Sequence, residues 1–243
     1  MFQPQQVHHT HCCRESDNVL QRAFSLLCWN VYKKNRDDRR FSEFLQHLNT
    51  DLLVLQEAEF KDGEPCRVEG YSFDAAANIT FGTSNYGVLT ASRCRALETK
   101  AYLSENRELF FATHKSLLLS RYAIEGGNAL LVANVHAINF RENSAYKKEK
   151  ERILDFLQKD TGPLIVAGDF NAWNSTRGEK LLQIADSLGL KRVPLGSGDG
   201  VKSMFGNPLD FIFYRGLKLL EYRVLDDGGI SDHRPLFARF EVL

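Results

Sequence analysis

The chain repeatedly runs through a short, nearly all-apolar stretch and then stops at a polar residue. FSLLCWN ends at Asn30, DLLVLQE ends at Glu57, and GPLIVAGDFN delivers Asp169 and Asn171 at its tip. ALLVANVHAI carries His136 inside an equally apolar run. Runs of this length and composition, bounded by turn residues, read as strands buried on both faces. A core would not choose the polar residues at their ends, so those positions ask for a second explanation.

The intervening sequence narrows the fold. RRFSEFLQHLN places Phe41, Phe44, Leu45 and Leu48 at helical spacing and predicts an amphipathic helix. VEGYSF, YGVLTAS, LFFATHKSLLLSRY and ALLVANVHAI are strand candidates, and their spacing with the turn EGGN suggests hairpins. ENSAYKKEKERILDFLQKD predicts a charged helix with Ile153, Leu154 and Leu157 inward. STRGEKLLQIADSLGL predicts another, with Gly189 as its C-terminal stop. LDFIFYRGLKLLEYRVL reads as two strands around a turn, and HRPLFARFEVL as a closing strand. Hairpins mixed with helix-linked strands imply an α/β sandwich of mixed sheets with helices outside. Residues 23–243 are expected to form this single domain. Residues 1–22 read as a polar, mobile N-terminal arm. Within the arm, HHTHCC (His8, His9, His11, Cys12, Cys13) invites a metal reading, but adjacent ligands are not spaced to converge from a folded turn.

Bulk composition excludes some classes. At 243 residues, 43% hydrophobic and 26% charged, the chain is long enough to bury a sizeable core. Lys plus Arg and Asp plus Glu are 31 each, so any positive surface for nucleic acid must be local. Five cysteines without paired metal-type spacing suit a reducing compartment, and Cys28 and Cys94 sit among apolar residues. The start lacks the apolar core of a secretory signal, and no run approaches the roughly 18 apolar residues of a membrane span. A cytoplasmic location is expected.

The polar strand ends form a chemical set. Asn30, Glu57, Asp169 and Asn171 close apolar runs, Asp210 opens LDFIF, and Asp232 and His233 stand just before the final strand. Any one could be a turn cap. Together, on one rim of a sandwich, they would converge on a single cleft. Glu57, Asp169, Asp232 and Asn30 are all oxygen donors, which favours magnesium or manganese over structural zinc. His233 and Asp210 could form a pair that fixes the imidazole tautomer and favours its charged form. Metal, carboxylates and oriented histidines suit phosphoryl hydrolysis.

In this order, CWN, LQE, NVHA, GDFNAW, LDFIF and SDHRP resemble the endonuclease/exonuclease/phosphatase superfamily, from about Phe24 to the C-terminus. LCWNVYK, NVHAINF, AGDFNAW and GNPLDFIFYRGL are more similar still to its bacterial YafD-like branch. The resemblance implies a DNase I-like four-layered sandwich, with two mixed sheets packed face to face between outer helices. It implies a magnesium-dependent hydrolase of phosphoric esters, with manganese as the alternative ion. By the same resemblance, Glu57 and Asn30 match the metal-binding carboxylate and its partner amide, and Asp232 the acidic residue of the same metal region. Asp169 matches the residue that positions or activates water, and Asn171 the amide that holds the phosphate. His233, paired with Asp210, matches the histidine at the phosphate, and His136 the second histidine of the DNase I-like members. A satisfied core histidine competes for His136. Lys115 interrupts a strand and either reaches a phosphate oxygen or is a solvated position.

Three substrate readings follow. A nuclease or phosphodiesterase on nucleic acid comes first, because YKKNRDDRR supplies Lys33, Lys34, Arg36, Arg39 and Arg40 beside the cleft. A phosphatase or phosphodiesterase on a small or lipid head-group substrate is the alternative. No convincing exposed apolar loop or amphipathic surface helix marks a lipid site, and no membrane association is expected. A binding module without activity comes last, since it has no reason to keep every ligand type. The expected state is a monomer with nucleic acid as substrate.

Overall fold

The computed structural model describes residues 3–10, 18–35, 39–63, 70–103, 116–136 and 157–243, and its strands sort into two seven-stranded mixed sheets and one separate two-stranded hairpin. In chain order the first strands are β1 (Gln3–Gln5), β2 (His8–Thr10), β3 (Ala23–Asn30), β4 (Leu52–Phe60), β5 (Ser72–Phe81), β6 (Ser84–Ser92), β7 (Glu98–Leu103) and β8 (Ser116–Ala123). Then come β9 (Ala129–His136), β10 (Leu164–Asp169), β11 (Lys191–Arg192), β12 (Ser203–Met204), β13 (Asn207–Pro208), β14 (Asp210–Arg215), β15 (Leu217–Val224) and β16 (Leu236–Val242). One sheet has the order β1-β7-β8-β9-β10-β14-β11, the other β15-β16-β3-β4-β6-β5-β2. Each holds one parallel pair near its centre, β9 with β10 and β3 with β4, among antiparallel neighbours. Parallel neighbours need a crossover. Between β3 and β4 it carries helix α1 (Arg39–Leu48).

Period-two alternation sorts every central strand into two faces. Leu26, Cys28, Leu52, Val54, Leu130, Val132, Ile165, Ala167, Ile212 and Tyr214 pack between the sheets. Leu27, Trp29, Leu53 and Leu55 face outward onto Phe41 and Leu45 of α1. Leu131, Ala133, Leu164, Val166 and Phe213 face outward onto α2 (Ser175–Ser187), through Leu181 and Ala185. The layers are therefore helix, sheet, sheet, helix, the four-layered α/β sandwich that the motifs imply.

Most expected elements recur. The amphipathic helix is α1, with Phe41 and Leu45 buried. Asn174 caps the N-terminus of α2, and Gly189, with φ +64°, follows its end. EGGN turns between β8 and β9. Three differences have physical causes. Ser72 and Phe73 of VEGYSF and all of YGVLTAS belong to a longer hairpin, because DAAANITF continues β5 through Ala75, Ala76 and Ala77, small buried residues that carry little strand signal, while Val68 and Glu69 lie outside the described residues. The two strands expected around a turn in LDFIFYRGLKLLEYRVL do not pair with each other. β14 lies in one sheet and β15 in the other, and Gly216 (φ +68°) carries the chain across. Within the polar arm, β1 pairs with β7 and β2 with β5, and His9 Nδ1 lies 2.5 Å from Asp74 Oδ1. His11, Cys12, Cys13, Cys66, Ile153 and Leu154 lie outside the described residues; Leu157 is buried on the α2 side.

Two buried amides tie the sheets together. Gln56 Nε2 donates to Asn134 Oδ1 at 2.9 Å, and both side chains are fully buried. Asn134 Nδ2 in turn donates to the carbonyls of Leu55 and Leu89, both at 3.0 Å. These are the last paired residues before a bulge that breaks the β4–β6 register between Leu55 and Ala58. Asn134→Ala should therefore cost about 3 kcal/mol in equilibrium urea unfolding, because several buried polar groups lose partners at once. Replacing Gln56 and Asn134 together with Leu should restore part of that loss.

Candidate active site

The inward-facing row of each central strand ends in a polar residue at the same rim. Asn30 continues Leu26 and Cys28, His136 continues Leu130 and Val132, and Asp169 continues Ile165 and Ala167. β14 runs antiparallel to β10, so its first residue, Asp210, pairs directly with Asp169. His136 pairs with Asp169 on the other side. The carboxyl ends of β3, β9 and β10 and the amino end of β14 therefore gather these groups where the core meets water, the usual place for a ligand in an α/β sheet.

Glu57 reaches the rim by another route. Leu53 and Leu55 face outward, so strict alternation would turn Glu57 outward too. The β-bulge falls there, Glu57 takes φ +50°, and Ala58 and Phe60 resume the outward row. A bulge re-aims a side chain in this way. Six non-glycine residues have positive φ among the described residues, and four of them, Tyr32, Lys33, Glu57 and Asn171, stand at this rim. Backbone strain of this kind concentrates at functional sites. Behind the rim, Gly168 has φ +149°, and a Cβ there would come within 1.9 Å of Val135 O, so only glycine lets β9 and β10 approach.

The contacts join the groups into one cluster. Asn30 Nδ2 donates to Asp169 Oδ2 at 3.1 Å and to Glu57 Oε1 at 3.3 Å. His136 Nε2 lies 3.8 Å from each of the same two oxygens. Asn171 N donates to Asp169 Oδ1 at 2.9 Å, and the buried Arg177 reaches Asn171 O at 3.3 Å. His233 Nδ1 is 2.7 Å from Asp210 Oδ2. Burial of the His233 ring lowers its pKa. The charge and hydrogen bond of Asp210, with the charges of Asp169 and Asp232, outweigh burial and raise it from 6.5 to about 9. His233 is thus held as a cation at neutral pH, which leaves its Nε2–H as a donor into the cleft.

Among the described residues, the group whose donor atoms lie within 4.8 Å of one another is Asp169, Asp210 and His233. Asp232 stands apart: it is exposed and ion-paired with Lys202 at 3.0 Å, and adds its charge to the field on His233. Lys115 lies outside the described residues. Lys33, Lys34, Arg39 and Arg40 are exposed, and Arg36 is outside the described residues.

Several supporting residues were not singled out in the sequence. Gln56 and Asn134 are polar residues at inward positions of apolar runs, a signal that alternation alone could have exposed. Trp29 Nε1 donates to His233 O at 2.8 Å, and Ser231 Oγ donates to Asn30 O at 2.7 Å. These two bonds fix the loop before β16 onto β3. Arg177 stacks 4.8 Å from the Trp173 ring centroid. Nothing local in STRGEK marks that arginine as buried.

Comparison with known proteins agrees in both sequence and shape. The model of the Endonuclease/Exonuclease/phosphatase family matches residues 27–233. A UPF0294 protein of Vibrio cholerae serotype O1 is 34% identical over 227 residues, covering 92% of this chain and 80% of that protein. A UPF0294 protein of Yersinia enterocolitica is 35% identical over 222 residues, covering 89% and 83%. The solved endonuclease/exonuclease/phosphatase family protein from Leptotrichia buccalis superposes with a TM-score of 0.66 at 17% identity, covering 90% of this chain and 99% of that one.

The His233 pair has a readable pH signature. Its folded pKa exceeds the unfolded value, so its stabilisation is complete below about pH 6.5 and is lost as pH rises through about 9. In metal-free buffer, urea unfolding should show stability falling across that window. Asp210→Asn should flatten the fall, and the His233 ring signal in NMR should titrate near pH 9 only in the native sequence.

Proposed function

Since the chain belongs to the endonuclease/exonuclease/phosphatase family, alongside the YafD-like UPF0294 proteins, we propose that it is a divalent-metal-dependent phosphodiesterase acting on nucleic acid. Hydrolysis of phosphoric esters is the chemistry of the family. The observation that carries the reading is the cluster itself: a buried Asp210–His233 pair beside Asp169, Asn30, Glu57 and His136 on one rim.

The donor set fits a hard cation. Glu57 Oε1 and Asp169 Oδ2 face each other across Asn30 Nδ2 and His136 Nε2, and Glu57 is partly open to solvent. No cysteine is among these donors, and oxygen-rich sites select magnesium or manganese. Glu57 and Asn30 would hold the ion, and Asp232, exposed and paired with Lys202, would add its charge from the adjoining loop. When bound, the ion would neutralise charge on the phosphate and polarise its oxygens.

The chain's own groups have separable tasks. Asp169, fixed by Asn30 Nδ2 and Asn171 N, accepts a proton from the attacking water and orients it. Asn171, held in a left-handed turn above Arg177, offers its side-chain amide to a non-bridging phosphate oxygen. His233, kept cationic by Asp210, donates from Nε2 to the phosphate and stabilises the charge that builds there. His136 serves proton transfer to the departing oxygen. The buried thiols of Cys28 and Cys94 suit a reducing cytoplasm, and the reading needs only a monomer.

One observation favours a second reading, a small-molecule or lipid head-group phosphoesterase. Exposed phenylalanines at two hairpin tips, Phe81 and Phe205, are apolar loops that the sequence did not disclose. No helix among the described residues is long and apolar enough to cross a membrane.

Two experiments test the proposal. Hydrolysis of bis-p-nitrophenyl phosphate should vanish in EDTA and return with magnesium or manganese. Glu57→Gln, which keeps the shape and removes the charge, should lower kcat/KM by about 100-fold. Activity that survives EDTA would remove the metal from the scheme. His136→Ala should slow cleavage of an alkyl phosphodiester far more than that of a p-nitrophenyl ester, whose leaving group needs no acid. Equal losses would return His136 to a structural role.

A further inference from the structure

The hairpin formed by β12 and β13 turns through two residues, Phe205 and Gly206, with φ +50° and +79°. Both central residues of this tight turn are left-handed, the geometry for which Asn-Gly or Gly-Gly is strongly preferred. Phenylalanine is a poor choice there twice over. Its backbone is strained, and the residue is 81% exposed. A side chain that breaks a conformational rule and a solvation rule at one position, without burial in return, marks a functional position.

The hairpin is also tied to both loops of the site. Asn207 Nδ2 donates to Trp173 O at 3.1 Å and to Phe205 O at 3.2 Å. The Phe205 ring meets the Trp173 ring edge-on, with centroids 6.4 Å apart. Trp173 lies two residues beyond Asn171, and its ring carries Arg177. On the other side Lys202, whose carbonyl accepts from Leu209 N, pairs with Asp232 next to His233. The tip is therefore fixed at the edge of the cleft, between the loop bearing Asn171 and the loop bearing His233.

We infer that Phe205 is a substrate-binding residue, and that its open ring stacks on the nucleobase next to the scissile phosphate. The inference rests on the nucleic-acid reading given above. A flat, exposed ring on a rigid two-residue turn loses little freedom when it stacks, and stacking tolerates any base because every base has a π-face. The edge-on contact with Trp173 limits how the ring can tilt and leaves most of its surface open to solvent.

The test compares two substrates with one leaving group: thymidine 5′-(p-nitrophenyl phosphate) and methyl p-nitrophenyl phosphate, each with magnesium. The native protein should prefer the nucleoside ester. Phe205→Ala and Phe205→Asn should each lose about tenfold more kcat/KM on the nucleoside ester than on the methyl ester. Phe205→Trp should retain the preference. Phe205→Asn supplies the residue this turn favours, so it should unfold at the same or a higher urea concentration while losing the preference, a combination that a structural role for Phe205 would not produce. If the native protein prefers the nucleoside ester and Phe205→Ala weakens both esters equally, or neither, Phe205 is not the base contact and the nucleic-acid reading stands. A native protein with no preference between the two esters would overturn that reading and this inference together.

Discussion

The side-chain amide of Asn134 is the piece on which the rest of the site depends. It projects from the centre of one sheet into the space between the two and binds carbonyls on two strands of the other, beside the bulge. It gives those carbonyls a donor from the other sheet, next to the point where the ladder is interrupted. With it, the bulge is a fixed feature, and Glu57 is turned from the outer helix layer to the cleft. The two sheets are thereby held in register behind the cluster they share, which is what a constellation drawn from both requires.

The cluster concentrates charge of one sign. Asp169, Asp210 and Glu57 stand close together, with Asp232 near them on an exposed loop. Asn30, His136 and the protonated His233 offset part of this. A site so arranged is a poor place to bury charge for stability alone, because desolvation of carboxylates opposes it. It is a good place to receive a cation and a phosphate, which together supply the opposite and the matching charge. The left-handed residues around the rim tell the same story in backbone terms.

Much of this was legible in the sequence. Apolar runs that halt at Asn30 and Asp169, carry His136 and begin at Asp210 follow directly from alternation in strands buried on both faces, and the sandwich follows from the mixture of hairpins and crossovers. What was not legible depends on neighbours rather than on local pattern. The parity of Glu57 is wrong for the cleft, and only the bulge corrects it. Arg177 sits in a polar stretch and is buried only because Trp173 and Asn171 come back over it. The strands of the polar arm arise because β7 and β5 offer open edges, and the separation of β14 from β15 arises because one glycine crosses between sheets. The exposed ring of Phe205 is likewise invisible in SMFGNP until the turn is seen.

The placement of β16 has a consequence in time. It lies against β3, with Phe240 opposite Phe24, so β3 waits for residues far later in the sequence before both its edges are paired. Contacts so distant in sequence form late, since the long intervening loop must close first. The loop carrying His233 is docked by that same pairing and by the Trp29 indole. During synthesis on the ribosome, a chain that already holds Asn30, Glu57, His136 and Asp169 still lacks its cationic imidazole. A site built in this order stays incomplete until the segment from Asp210 to Val242 has emerged and paired.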